Sequence, residues 1–399
     1  MDIAIRSATG ADFGEIAALD ATAFGMNYED QDLTDVLTVV DPERFLVAIT
    51  NERIVGVTGD YPFEMTVPGG RLQVPGVTWV SVSPTHRRRG VLTELMRHQI
   101  GRYAESGVAL AVLMASEGGI YGRFGYGPAG QTRKTVVDRR RARLAQPPHA
   151  DRVQVATATQ ARAHAPEVHR RWRALVPGAL SRSEAWWDLL FLDRGHHRGG
   201  MTSMFFLTHP DGYVSYRVKS DWANGHPSHT CWITDYLATT EQAHAELWEV
   251  LLGMDLFGRI ESFQIPIDDP LPFLLSDFRQ VRTEVVNDGL WARPIDVSAA
   301  LSARTYGVEV DAVLEVVDDL LGDGRYRLSG GPDGATCTRT DRSPDLAITA
   351  SALGSVYLGG HRLRTLCAAG RAQVEDQAVA RRLDRALLGD RAPIHGTAF

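Results

Sequence analysis

The segment from Val77 to Ser106 limits what the rest of the chain can be. It opens with the apolar, β-branched run Val77-Thr78-Trp79-Val80-Ser81-Val82, which reads as a strand. Pro84 stops that strand, because it has no N–H to give a ladder. Leu92, Leu95 and Met96 then recur at helical spacing, so a helix begins at Val91, with Gly107 closing it. Between strand and helix stand Arg87-Arg88-Arg89-Gly90. The first turn of a helix has N–H groups without partners and carries the positive end of the helix dipole. A phosphate can settle there. Gly90 lets it approach the backbone closely, and the arginines add charge-assisted donors. In isolation such a turn is equally a solvated basic corner, so its surroundings decide.

Those surroundings read as an ordinary globular protein. At 399 residues, 44% hydrophobic and 23% charged, the chain has length for two or three domains with their own cores. A net charge of −7 argues against nucleic acid as the main partner. No run of eighteen apolar residues is present, so no membrane span is expected. The start, Met1-Asp2-Ile3-Ala4-Ile5-Arg6, lacks the apolar core of a signal peptide. Cys231, Cys337 and Cys367 are scattered, which predicts neither a disulfide framework nor a metal site. Together these features place the chain in a reducing cytoplasm, or outside the cell by a route that needs no signal peptide.

Periodicity orders the elements. Residues 3–6 read as a strand, 11–24 and 28–40 as helices, and 45–49, 54–61 and 74–82 as strands. The helix 91–106 follows, then a buried strand at 108–115, a glycine-rich stretch at 116–128, and a closing strand at 132–137. Residues 139–148 read as a linker, with Arg139-Arg140-Arg141 solvated. A second unit has helices at 161–175 and 183–192, strands at 201–208, 212–220 and 230–237, a helix at 241–255 and a strand at 259–265. In a third, Asp296 caps a helix running to Arg304; strands at 312–317, 326–329 and 335–339 precede helices at 350–357, 363–368 and 374–388. The predicted boundaries are 1–148, 149–291 and 292–399, all of α+β class.

Strand, R-x-x-G, helix resembles the acetyl-CoA pyrophosphate loop of the GNAT acyltransferases, with Leu92 where their pattern has a small residue. The element order of residues 1–148 is similar to theirs. The second unit resembles the later part of the same fold, but its turn Ala238-Thr239-Thr240-Glu241 has no R-x-x-G, so it reads as structural. The third resembles sterol-carrier domains. Two longer motifs, Val-Ser-Val-Ser-Pro-Thr-His-Arg-Arg-Arg-Gly at 80–90 and Ala-Ser-Glu-Gly-Gly-Ile-Tyr-Gly-Arg-Phe-Gly-Tyr-Gly-Pro at 115–128, resemble the Eis (enhanced intracellular survival) acetyltransferases of actinobacteria.

That resemblance implies acetyl-CoA as cosubstrate and no metal. It places the coenzyme on Val80, Ser81, Val82, Arg87, Arg88, Arg89, Gly90, Val91, Leu92 and Thr93, with Ser116 and Glu117 on the opposite wall. The pantetheine arm would pair with the strand holding Val80 and Val82 as an added strand does. GNAT enzymes often place a tyrosine four residues before a G-[F/Y] pair, which selects Tyr121 as general acid for the leaving thiolate and leaves Tyr126 for packing. The acid is weak for the task, a phenol near 10 against a thiol near about 8.5. The family's base is the C-terminal carboxylate, here that of Phe399. An α-carboxylate near about 3.5 removing a proton from an ammonium near about 10.4 is uphill by about 9 kcal/mol, so part of its value is to hold the amine in line. Phe24, Tyr28, Glu29 and Trp79, with Asp30 and Asp32 nearby, flank the expected acceptor site. Aminoglycosides or polyamines, acetylated at several amines, are the implied substrates, and a homohexamer of two trimers the implied assembly. Protein lysines are an alternative acceptor. A lipid- or partner-binding scaffold working through the third domain is the non-enzyme alternative.

Overall fold

The structure is a computed structural model that describes residues 3–399. The chain forms two compact units. One runs up to Gly130 and includes Asp288–Phe399; the other is Gln131–Asn287. Among the described residues, no helix is long and apolar enough to cross a membrane.

The first unit is built on a seven-stranded sheet. Its strands are β1 (Ala4–Ser7), β2 (Leu46–Thr50), β3 (Arg53–Val67), β4 (Gly70–Val82) and β5 (Leu110–Met114), followed in sheet order by Leu290–Pro294 and Gly127–Pro128. Helices α1 (Phe13–Phe24), α2 (Asp30–Val36) and α3 (Val91–Glu105) belong to the same unit. Of the spacing that predicted α3, Leu95 and Met96 lie on the face it buries, with Val91, Ile100 and Tyr103, while Leu92 is only partly buried. At about 1.5–3 kcal/mol for each large apolar side chain, that burial dominates the helix's stability. The expected second helix is shorter than 28–40, and β3 and β4 are longer than expected.

One strand is not where its sequence suggested. Thr132–Asp138, expected to close the first sheet, pairs antiparallel with Phe257–Pro266 and Val281–Asn287 in the second unit's seven-stranded sheet. The place beside β5 is taken by Leu290–Pro294, with Leu290 opposite Met114 and Pro294 opposite Leu110. The stretch expected to open the third domain therefore completes the first sheet. Helix Ala350–Tyr357, buried throughout its length, packs on Leu290–Pro294. This helix belongs to a region with a five-stranded sheet of its own: Gly334–Arg339, Gly324–Gly331, Val310–Val317, Leu346–Thr349 and Ala372–Gln373. Asp296 caps Val297–Ser302 through the Ala299 N–H, as expected. The first sheet and the region after Pro294 thus share one compact unit, and the chain's last residues pack against β4.

Candidate active site

The site opens where β4 parts from β5. Their parallel pairing is confined to Gly76 with Val112 and Val77 with Leu113. Beyond Val77, β4 stays paired with β3, but Trp79 and Val80 both stand opposite Thr58, between the pairs Thr78–Gly59 and Ser81–Val57. Two residues against one is a β-bulge, and Trp79 takes φ +52° in it. Bulge and splay together leave the Val80–Val82 segment beside a cavity of about 840 Å³.

The expected coenzyme residues meet in that cavity. Val80, Ser81, Val82, Arg87, Arg88, Gly90, Val91, Leu92, Thr93, Ser116, Glu117 and Tyr121 all line it; Arg89 does not. Gly90 is the N-cap of α3, has φ +86° and supplies no side-chain cap. A side chain there would carry the backbone cost of a left-handed residue, about 1–2 kcal/mol. The turn thus fits a diphosphate through its open helix end, its glycine and its two lining arginines. His86, Ile120, Arg123 and Ala23 also line the cavity and were not singled out from sequence. Arg123 sits two residues after Tyr121 inside a motif already read, so adjacency was the available signal.

Tyr121 begins the short 3₁₀ turn Tyr121–Phe124. It is rooted in an apolar cluster with Val77, Met96, Ile100, Leu113, Phe124 and Trp291. Burial first, and the Glu117 carboxylate second, push its phenol up to about 12. The ring of Tyr126 packs edge-on against it, 6.3 Å between centroids, and is fully buried, which is the packing role expected of it. Gly125 ends the turn at φ +80°; a Cβ there would lie 1.9 Å from the Arg293 guanidinium. Arg293, fully buried, pairs with Asp318 at 3.0 Å. A strand and a loop from the last third of the chain therefore press on the turn that carries Tyr121.

Of the residues expected on the acceptor side, Trp79 and Tyr28 form a second cluster next to the bulge. Trp79 stacks on Tyr28, with centroids 5.9 Å apart, and donates its Nε1–H to the Tyr61 hydroxyl at 3.1 Å. Tyr61 lies against Phe63, and Phe63 against Phe399, at 6.1 and 5.1 Å between centroids. A Cβ on Gly76, where β4 and β5 still pair, would come within 2.9 Å of the Phe399 ring. The tail leading there is held: His395 and Thr397 are buried, and His395 Nδ1–H donates to the Thr397 carbonyl at 2.8 Å. Phe24 lines the cavity and is half exposed. Glu29 is the exposed N-cap of α2, its N–H donated to Asp32. Asp20, on the buried face of α1, was missed from sequence. Its carboxylate accepts the hydroxyls of Tyr28 at 2.7 Å and Ser81 at 2.5 Å.

Comparison with known proteins agrees with this geometry. Residues 4–129 and 178–294 each match the acetyltransferase (GNAT) domain family, and 297–396 match the sterol carrier protein domain. The chain is 39% identical to N-acetyltransferase Eis of Mycobacterium tuberculosis, with all of both chains covered. It is 40% identical to an uncharacterized N-acetyltransferase of Streptomyces avermitilis over 86% of each. Its structure superimposes on that of Eis1 from Mycobacterium abscessus with a TM-score of 0.88 at 32% identity over 100% of both. A GCN5-related N-acetyltransferase of Anabaena variabilis, at 19% identity and a TM-score of 0.87 over the full length of both, shares the fold. With its tandem GNAT folds, its sterol-carrier-like region and full-length identity well above chance, this chain belongs to the Eis family of acetyl-CoA-using N-acetyltransferases.

Proposed function

We propose that this enzyme moves the acetyl group of acetyl-CoA onto primary amines of aminoglycoside antibiotics or related polyamines, at more than one position. The observation that carries the reading is the meeting of two clusters at one β4 bulge: the arginine turn with Tyr121 on one side, and the aromatic run Tyr28–Trp79–Tyr61–Phe63–Phe399 on the other. Flat apolar walls suit sugar rings, and Glu29, Asp30, Asp32 and Asp35 put four acidic side chains in or just before α2, which suits a polycation.

Arg87, Arg88 and the open end of α3 bind the diphosphate, and the unpaired edge of β4 orients the arm that leads to the thioester. Tyr121 keeps its proton at neutral pH and gives a hydrogen bond to the departing sulfur. Because burial has raised its phenol, full proton transfer to a thiolate is uphill by about three units, or about 4–5 kcal/mol. Tyr121 therefore does most of its work as a positioned donor while charge builds on sulfur. The α-carboxylate of Phe399, its ring seated on Phe63, holds the attacking amine. Thiol release from acetyl-CoA with kanamycin or tobramycin, followed by mass spectrometry of the product, tests the reading. Multiply acetylated drug is expected; thiol release no faster than without drug contradicts it.

A further inference from the structure

The buried carboxylate of Asp20 points to a group that chooses the acceptor. Asp20 is 4% exposed, and no ion pair to it is formed among the described residues. Its two oxygens instead accept one hydroxyl each, from Tyr28 and from Ser81. The Ser81 hydroxyl donates to Asp20, and a serine hydroxyl has one proton and two lone pairs. The Ser81 proton is therefore committed to Asp20, and what Ser81 has left to offer is acceptor capacity. Ser81 also lines the cavity that contains Tyr121, Val80 and Val82. Tyr28, the other hydroxyl on Asp20, is the residue stacked on Trp79 in the acceptor-side wall. A single buried carboxylate thus ties the transfer point to the acceptor wall.

We propose that Ser81, held by Asp20 as a hydrogen-bond acceptor, receives an N–H of the acceptor amine and aligns it with the thioester. Asp20 acts through Ser81 and is a positioning residue. This rests on the acetyl-transfer reading above and adds the group that recognises the nucleophile.

The test is steady-state kinetics of Ser81→Ala, Ser81→Thr, Asp20→Asn and the double variant Asp20→Asn/Ser81→Ala, with acetyl-CoA and kanamycin each varied in turn. Ser81→Ala and Asp20→Asn are expected to lower kcat/KM for the amine by about tenfold or more, the scale of one hydrogen bond to a charged group. The coenzyme arm meets this stretch of β4 through its backbone, so KM for acetyl-CoA should stay within about twofold, and Ser81→Thr should restore most of the loss. The double variant should be little worse than either single one, because the two side chains act as one unit. Three results would each overturn the proposal: an amine kcat/KM near wild type in Ser81→Ala, a rise confined to the acetyl-CoA KM, or losses that multiply in the double variant. Wild-type enzyme that releases no thiol with the amine sinks the acetyl-transfer reading, and this proposal with it.

Discussion

The two seven-stranded sheets are versions of one fold, and they differ at the place where chemistry needs them to. In the first, β4 and β5 pair at two positions and then separate. In the second, the matching parallel strands, His229–Ala238 and Phe257–Pro266, stay paired over five positions, from His229 with Phe257 to Ile233 with Ser262. The helix that follows each strand differs as well. α3 begins at Gly90, which offers its first N–H groups no side-chain cap. Helix Glu241–Gly253 begins at Thr240, whose hydroxyl accepts the Ala243 N–H at 3.1 Å, with Glu241 in its first turn. An N–H already bonded is a poor phosphate site. The fold alone therefore confers no coenzyme site. In the proposed function an open strand edge and an uncapped helix supply it, and both lower the stability of the element that carries them.

The sharpest ways to break this comparison lie in the first unit. Extra residues after Phe399 should stop acetyl transfer while acetyl-CoA still binds, because they turn its α-carboxylate into a peptide bond; full turnover in such an extended chain would remove the tail from the mechanism. Tyr121→Phe should lower kcat by about 10²-fold or more with unchanged coenzyme affinity, read by thiol release. Replacing Arg87 and Arg88 together by Ala should weaken acetyl-CoA binding by about 10²-fold, two charge-assisted hydrogen bonds' worth, measured by calorimetry. The pH profile follows from the direction of the Tyr121 shift. The neutral phenol is the donor, and it is lost only as pH rises through about 12. The rate should then show no decline of tyrosine origin near the ordinary value of about 10; a limb there that Tyr121→Phe abolishes would mean a less buried phenol. The smallest effect belongs to the second unit: Thr240→Ala should cost about 1 kcal/mol in unfolding experiments and leave acetyl-CoA binding unchanged.

What was legible in the sequence was local. The turn at 87–90 could be read because strand end, phosphate-accepting residues and helix start follow one another within a few residues, and Tyr121 was singled out by the resemblance of its glycine spacing to the GNAT pattern. Partnership across the chain was not legible. Alternation identifies Thr132–Asp138 as a strand, but nothing in period two says which sheet it enters. Val281–Asn287 went unread because its side chains are mostly exposed and mixed in polarity, so it has no apolar face to announce it. Asp20 was overlooked for the opposite reason. It shares a helix face with Ile16 and Ala17, where apolar spacing leads a reader to expect only core, and the hydroxyls that satisfy it come from Tyr28 and from Ser81, sixty-one positions away. The packing of Phe399 on Phe63 has the same character, since the two residues lie more than three hundred positions apart.

The account's central claim is that one sheet of the two holds the coenzyme. Calorimetric titration of the full-length protein with acetyl-CoA tests it most directly. One molecule bound per chain, lost when Arg87 and Arg88 are replaced, is the predicted result; two per chain, or binding that survives that replacement undiminished, would contradict it.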